Sequence, residues 1–202
     1  MRGKFITFEG VDGAGKSTHV EWFANALRSA GRAVAVTREP GGSALAEKLR
    51  ELVLHENMDA VTETLLVFTA RDDHLRRRIL PALAAGTWVI CDRFTDATVA
   101  YQGGGKGVER GLIEKLREIV HPSVRPDCTL IFDCPYAVSR DRMERSRRAL
   151  DRFEREGEAF FDRVRAAYLG LARSEPDRIH VIDSTHSLDT IRAELAAVIS
   201  TL

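Results

Sequence analysis

The chain has 202 residues, 44% hydrophobic and 30% charged, a composition that supports one self-contained core and excludes a disordered segment. Thirty basic residues balance 30 acidic ones, which argues against a general nucleic-acid binder, a class that usually carries a basic excess. No apolar run approaches a membrane span, Met1–Lys4 opens no signal peptide, and Cys91, Cys128 and Cys134 form neither a CxxC pair nor a metal-ligand spacing, so a soluble protein of the reducing cytoplasm is expected, with no membrane partner.

Phe5-Ile6-Thr7-Phe8 reads as a first buried strand. It runs into Gly10-Val11-Asp12-Gly13-Ala14-Gly15-Lys16-Ser17, which matches GxxxxGK[ST] at every fixed position and opens a helical pattern of Val20, Phe23, Ala24 and Leu27. Such a loop curls so that successive N–H groups point inward, and the helix that follows adds a positive dipole. The segment from Gly10 to Thr18 is therefore the candidate triphosphate site, with Lys16 neutralising β- and γ-phosphate charge and Ser17 ligating Mg²⁺.

A second strand, Ala33–Val36, is followed by Thr37-Arg38-Glu39-Pro40-Gly41-Gly42. Phe68-Thr69-Ala70-Arg71 comes next, then a third strand, Trp88–Cys91, ending in Asp92-Arg93-Phe94 and leading to Ala100-Tyr101-Gln102-Gly103-Gly104-Gly105. Leu112, Ile113, Leu116, Ile119 and Val120 repeat at helical spacing before a fourth strand, Cys128–Phe132. The stretch from Arg140 to Arg155 holds seven arginines against four acidic residues. From charge alone it reads as a solvated helix face laced with ion pairs, and its distance from the core pattern also suits a mobile lid. Phe160, Phe161, Val164, Tyr168 and Leu171 mark a last long helix before a fifth strand at Ile179–Ile182. Strands alternating with helices, with no repeat or linker, predict a single doubly wound α/β domain over 1–202 with a lid at about 140–156.

Asp92 ends a buried strand, the usual place for a carboxylate that acts on Mg²⁺, with a structural salt bridge to Arg93 as the other reading. No lysine has Asp two residues later, so a guanine-reading motif is absent and a small kinase is favoured over a GTPase. Other readings are a kinase of a different nucleotide or deoxynucleoside, and a nucleotide switch without turnover.

Together with Phe8-Glu9-Gly10 and Leu150-Asp151-Arg152-Phe153-Glu154, the quoted segments resemble bacterial thymidylate kinases in order and spacing, from about Lys4 to Ile182. The resemblance implies a P-loop fold with a five-stranded parallel sheet in the order 2-3-1-4-5, transfer from ATP to dTMP with Mg²⁺, and a homodimer. It implies that Arg38 and Arg93 clamp the acceptor 5′-phosphate, and that Asp12 serves the sugar 3′-hydroxyl and Arg93. It also implies that Phe68 stacks on the pyrimidine, Arg71 reaches its O4 edge, and Tyr101 excludes a ribose 2′-hydroxyl. Ala97 departs from the family, where serine is frequent, and Thr98 is the candidate for the missing polar contact. Some members carry arginine at the Gly13 position; here Arg147 and Arg152 are expected to supply that charge to the transferring phosphoryl group, with Arg145 and Arg148 supporting. A cis Glu39–Pro40 bond is expected as well.

Overall fold

A computed structural model describes residues 2–146 and 151–202. Its five strands, β1 (Phe5–Glu9), β2 (Val34–Arg38), β3 (Trp88–Asp92), β4 (Cys128–Asp133) and β5 (Ile179–Asp183), form one sheet in the order β2-β3-β1-β4-β5. Every pairing is parallel, with Phe5 opposite Val89 and Ile6 opposite Cys128. β1, β3 and β4 are buried along nearly their whole length, whereas β2 and β5 are half open. β2 and β5 are the edges of the sheet, where Val36 and Val181 are exposed.

Each strand continues past its apolar run and ends on a charged residue: Glu9, Arg38, Asp92, Asp133 and Asp183. The carboxyl edge of a parallel sheet is where ligands of such folds bind, and a strand kept in register by its neighbours can hold charge there.

Nine α-helices complete the described residues, three of them continuous with π-helical turns at Leu75–Ile79 and Val99–Gly105. α1 (Lys16–Ser29) buries Val20, Phe23, Ala24 and Leu27, the stripe its spacing predicts. α8 (Glu158–Ser174) buries Phe160, Phe161, Val164, Tyr168 and Leu171 in the same way. α6 (Arg110–Val120) does not follow its pattern: Ile113 is buried but Ile119 is 75% exposed. α2 (Ala44–His55), α3 (Ala60–His74) and α4 (Leu80–Ala84) lie between β2 and β3 in the chain, α5 (Thr95–Thr98) follows β3, and α7 (Tyr136–Arg145) and α9 (Leu188–Thr201) follow β4 and β5. All three cysteines are buried and unpaired. No helix among the described residues is long and apolar enough to cross a membrane.

Candidate active site

The phosphate loop joins β1 to α1. Gly10, Gly13 and Gly15 all have positive φ. Two of them are forced by contact, because a Cβ on Gly10 would lie 2.3 Å from the Phe132 carbonyl oxygen and one on Gly13 would lie 2.3 Å from that of Ser139. The α1 N-terminus has no side-chain cap and no acidic residue in its first turn, so its amides are left for an anion. Lys16 is buried and donates to the Gly10 and Val11 carbonyls at 3.2 and 3.3 Å. Burial and the nearby Arg93 lower its pKa, the effect of a cation held over a site built for negative charge.

Asp92 and Arg93 stand at the end of β3. One oxygen of Asp92, Oδ1, is buried and accepts no hydrogen bond among the described residues. It shares a cavity with Lys16 and the exposed Ser17. A carboxylate oxygen without a partner and a hydroxyl lining one cavity are donors of the kind a hard divalent cation such as Mg²⁺ takes.

Arg93 adopts φ 72°, a left-handed conformation that costs a non-glycine residue roughly 1–3 kcal/mol. The turn is pinned on both sides: Arg93 N–H donates to Phe8 O at 2.9 Å, and Phe94 N–H donates to Glu9 Oε1 at 2.7 Å. Held in this way, the guanidinium reaches Gly10 O at 2.8 Å, Asp12 Oδ1 at 2.5 Å and the hydroxyls of Tyr101 and Tyr168 at 3.0 and 3.2 Å. Burial by itself would raise the Asp12 pKa, but Arg93 and Lys16 bring it below the ordinary value. Tyr101 donates to Asp12 Oδ2 at 2.8 Å and its ring lies 4.7 Å from the Arg93 guanidinium.

A second cavity opens beside this group. Arg71, 1% exposed, donates to Glu39 Oε2 at 2.7 Å, to Phe94 O at 3.1 Å and to Thr98 Oγ1 at 3.0 Å. Its Nη1 is buried without a partner among the described residues, and the side chain lines the cavity. A guanidinium fixed by three acceptors, with one nitrogen left over, is a donor in wait for a ligand oxygen. Phe68 supports it from below with its ring 4.8 Å from the guanidinium, and Val67 rather than Phe68 is the neighbour that lines the cavity wall. Tyr101, Thr98 and Ala97 line it too, so the position that departs from the family faces the pocket with no polar atom of its own.

The two cavities share Asp12, Glu39, Arg50 and Arg93. Arg38 lines only the first of them and is paired with Glu47 at 3.0 Å. The Glu39–Pro40 bond is cis.

The sequence model of the family described as thymidylate kinase matches residues 8–195. The chain belongs to the thymidylate kinase family. It is 57% identical over 194 residues to the thymidylate kinase of Bordetella pertussis, an alignment covering 96% of this chain and 93% of that one. Against the enzyme of Thiobacillus denitrificans it is 56% identical over 202 residues, covering 100% and 98%. The crystal structure of thymidylate kinase from Ehrlichia chaffeensis superposes with a TM-score of 0.80 at 35% identity, covering 99% of both chains.

The expectations for the arginine-rich segment fall on residues that the structure places in different surroundings or leaves undescribed. Arg147 and Arg148 lie outside the described residues. Arg152, expected over the transferring phosphoryl group, instead bonds the Glu63 carboxylate and donates to Val53 O at 2.7 Å, away from the P-loop cavity. Glu63 is fully buried, and a carboxylate there is stable only with cations against it. Arg145 pairs with Asp141 at 3.0 Å and is largely exposed.

Reading the chain also missed several residues. Arg50 borders both cavities and donates to Pro40 O at 2.8 Å, and Gln102 and Phe153 line the second. At the far end of the P-loop cavity, Arg142 donates to Ala14 O and Ser184 O, tying α7 and the β5 end to the loop. An arginine on a helix carries no local signal of such a place. Glu39 had one, standing between Arg38 and a cis proline.

Proposed function

We propose that the two cavities hold ATP and dTMP head to head and that the γ-phosphoryl group passes directly between them, giving ADP and dTDP. The observation that carries this reading is their junction. Two polyanions placed in the two cavities would meet at Arg93 and Arg50, with Lys16 beside them, the cation density that in-line transfer between phosphates requires. No covalent intermediate is needed, since positioning and charge stabilisation suffice.

In this reading residues 10–18 cradle the triphosphate, and Lys16 and Arg93 neutralise charge at the transferring group. Arg38, Arg50 and Arg93 receive the acceptor phosphate, and Asp12 orients Arg93 and the 3′-hydroxyl. Arg71 donates its remaining nitrogen to the pyrimidine, with Phe68 fixing it from behind and Thr98 holding its other edge. Tyr101 stands where a ribose 2′-hydroxyl would project. Ser17 and Asp92 would hold Mg²⁺, which screens the triphosphate charge when bound. Arg147 remains the candidate cation from the arginine-rich segment. Exposed Val61, Leu65 and Ile119 support a homodimer, which sedimentation would test, and the buried free thiols support a cytoplasmic enzyme.

A coupled ADP-release assay across nucleoside monophosphates tests the whole. dTMP should turn over much faster than its ribose counterpart, CMP or AMP. Equal turnover of CMP and dTMP would overturn the acceptor assignment alone; no ADP release with any acceptor would leave a nucleotide switch.

A further inference from the structure

Glu63 lies on α3 outside the two cavities, has no exposed surface, and no step of the transfer uses it. Three side chains from distant parts of the chain converge on it. Gln102 donates to Oε1 at 2.7 Å, Lys106 donates to Oε2 at 2.7 Å, and Arg152 bonds the same Oε2. Two cations therefore share one buried negative charge, and both also lie over the Phe153 ring, Lys106 at 4.6 Å and Arg152 at 4.9 Å from its centroid. Phe153 packs edge-on against Tyr101 with centroids 5.8 Å apart, and Phe153, Tyr101, Gln102 and Val53 are all walls of the acceptor cavity. Arg152 reaches Val53 through its carbonyl, with Nε at 3.2 Å and Nη2 at 2.7 Å.

We infer that Glu63 is a positioning residue of the acceptor site: its carboxylate latches Arg152, and so holds Phe153 and the 151–154 turn as the wall that closes the nucleoside end of the pocket. Arg152 is the moving half of this latch and not a cation of the phosphoryl group. The inference rests on the acceptor cavity being the dTMP site. Without the Glu63 charge, Lys106 and Arg152 face each other uncompensated, and the turn loses its hold on α2 and α3.

Steady-state kinetics of the wild type, Glu63→Gln, Arg152→Met and the double variant test it, alongside thermal melting and hydrogen exchange of the peptide spanning 151–157. Each single variant should raise KM for dTMP at least about tenfold while leaving kcat and KM for ATP within about threefold. The double variant should be no worse than the weaker-binding single, because both changes break one contact. Exchange in 151–157 should quicken in both singles. Arg152→Met leaves Lys106 on the buried carboxylate, so it decides the matter if Glu63→Gln does not fold. A fall in kcat of about a hundredfold for Arg152→Met with KM for dTMP unmoved would overturn the latch and return Arg152 to the phosphoryl group. Unchanged KM, or additive effects of the pair, would overturn it too. A wild type inactive on dTMP would instead remove the reading on which it rests.

Discussion

Arg93 and Asp92 are adjacent in the chain and do opposite things with their polar atoms. The guanidinium of Arg93 is held through Nη1 and Nη2 by Gly10, Asp12, Tyr101 and Tyr168, so its position is fixed before any ligand arrives. Preorganisation of this kind spares the cost of ordering a long side chain at the moment of reaction. Asp92 keeps Oδ1 buried and empty-handed among the described residues, a cost that a cation would repay. Asp92→Asn keeps the shape and removes the charge. It should raise the Mg²⁺ concentration for half-maximal activity at least about tenfold, with KM for dTMP changed far less. A Mg²⁺ titration indistinguishable from wild type would reduce Asp92 to a strand-end residue.

Helix α7 and the phosphate loop are built against each other. Gly13 meets the Ser139 carbonyl across the space a side chain would fill, and Arg142 of the same helix donates to Ala14 O at 3.2 Å. The first part of the arginine-rich segment is thus a strut for the loop, with Arg140 and Arg145 on its solvated side in i,i+4 pairs with Glu144 and Asp141. Gly13→Ala places a Cβ into backbone at φ +76°, so loop or helix has to shift. It should cost about 1–3 kcal/mol in urea melts and raise KM for ATP several-fold. Native stability and native KM together would show that α7 yields without cost.

Buried titratable groups make the stability of the folded chain depend on pH from both directions. Burial, with Asp96 adding to it, raises the Glu9 pKa from 4.5 to about 8. The native state keeps this proton while the unfolded chain releases it, so the contribution is whole below pH 4.5 and is lost as pH rises to about 8. His121 runs the other way. Burial lowers its pKa from 6.5 to about 4, so the unfolded chain takes up a proton first and stability falls as pH drops through that window. Its Nδ1–H donates to Val124 O and its Nε2 accepts from Thr95, which suits the neutral ring. Glu9 accepts from Phe94 N–H at 2.7 Å and from the Tyr168 hydroxyl at 2.8 Å; Glu9→Gln keeps the first bond through its amide oxygen and reverses the second, its amide donating to the Tyr168 oxygen. Its stability relative to wild type should therefore improve steadily from pH 5 to pH 8 in denaturant melts, and parallel profiles would mean that Glu9 is ionised in the native state.

Local chemistry was enough to read the phosphate loop, because glycines that must take positive φ, a strand before them and a helix after them all lie within some twenty consecutive residues. The same holds for the buried faces of α1 and α8 and for three central strands, where apolar period and burial coincide. The strand ends at Glu9, Arg38, Asp133 and Asp183 escaped that reading, unlike Asp92, since an apolar run stops where the sheet still continues. The open faces of β2 and β5 escaped it as well, because strand order and not composition makes an edge. Most of all, the partner of a buried charge is set by what the fold brings against it. Glu63 takes Arg152 from 89 residues away and Lys106 from 43, and Arg71 takes Glu39 from 32. A carboxylate or guanidinium removed from water must be neutralised by whichever group tertiary packing delivers within a few ångströms, and no spacing along the chain encodes that distance.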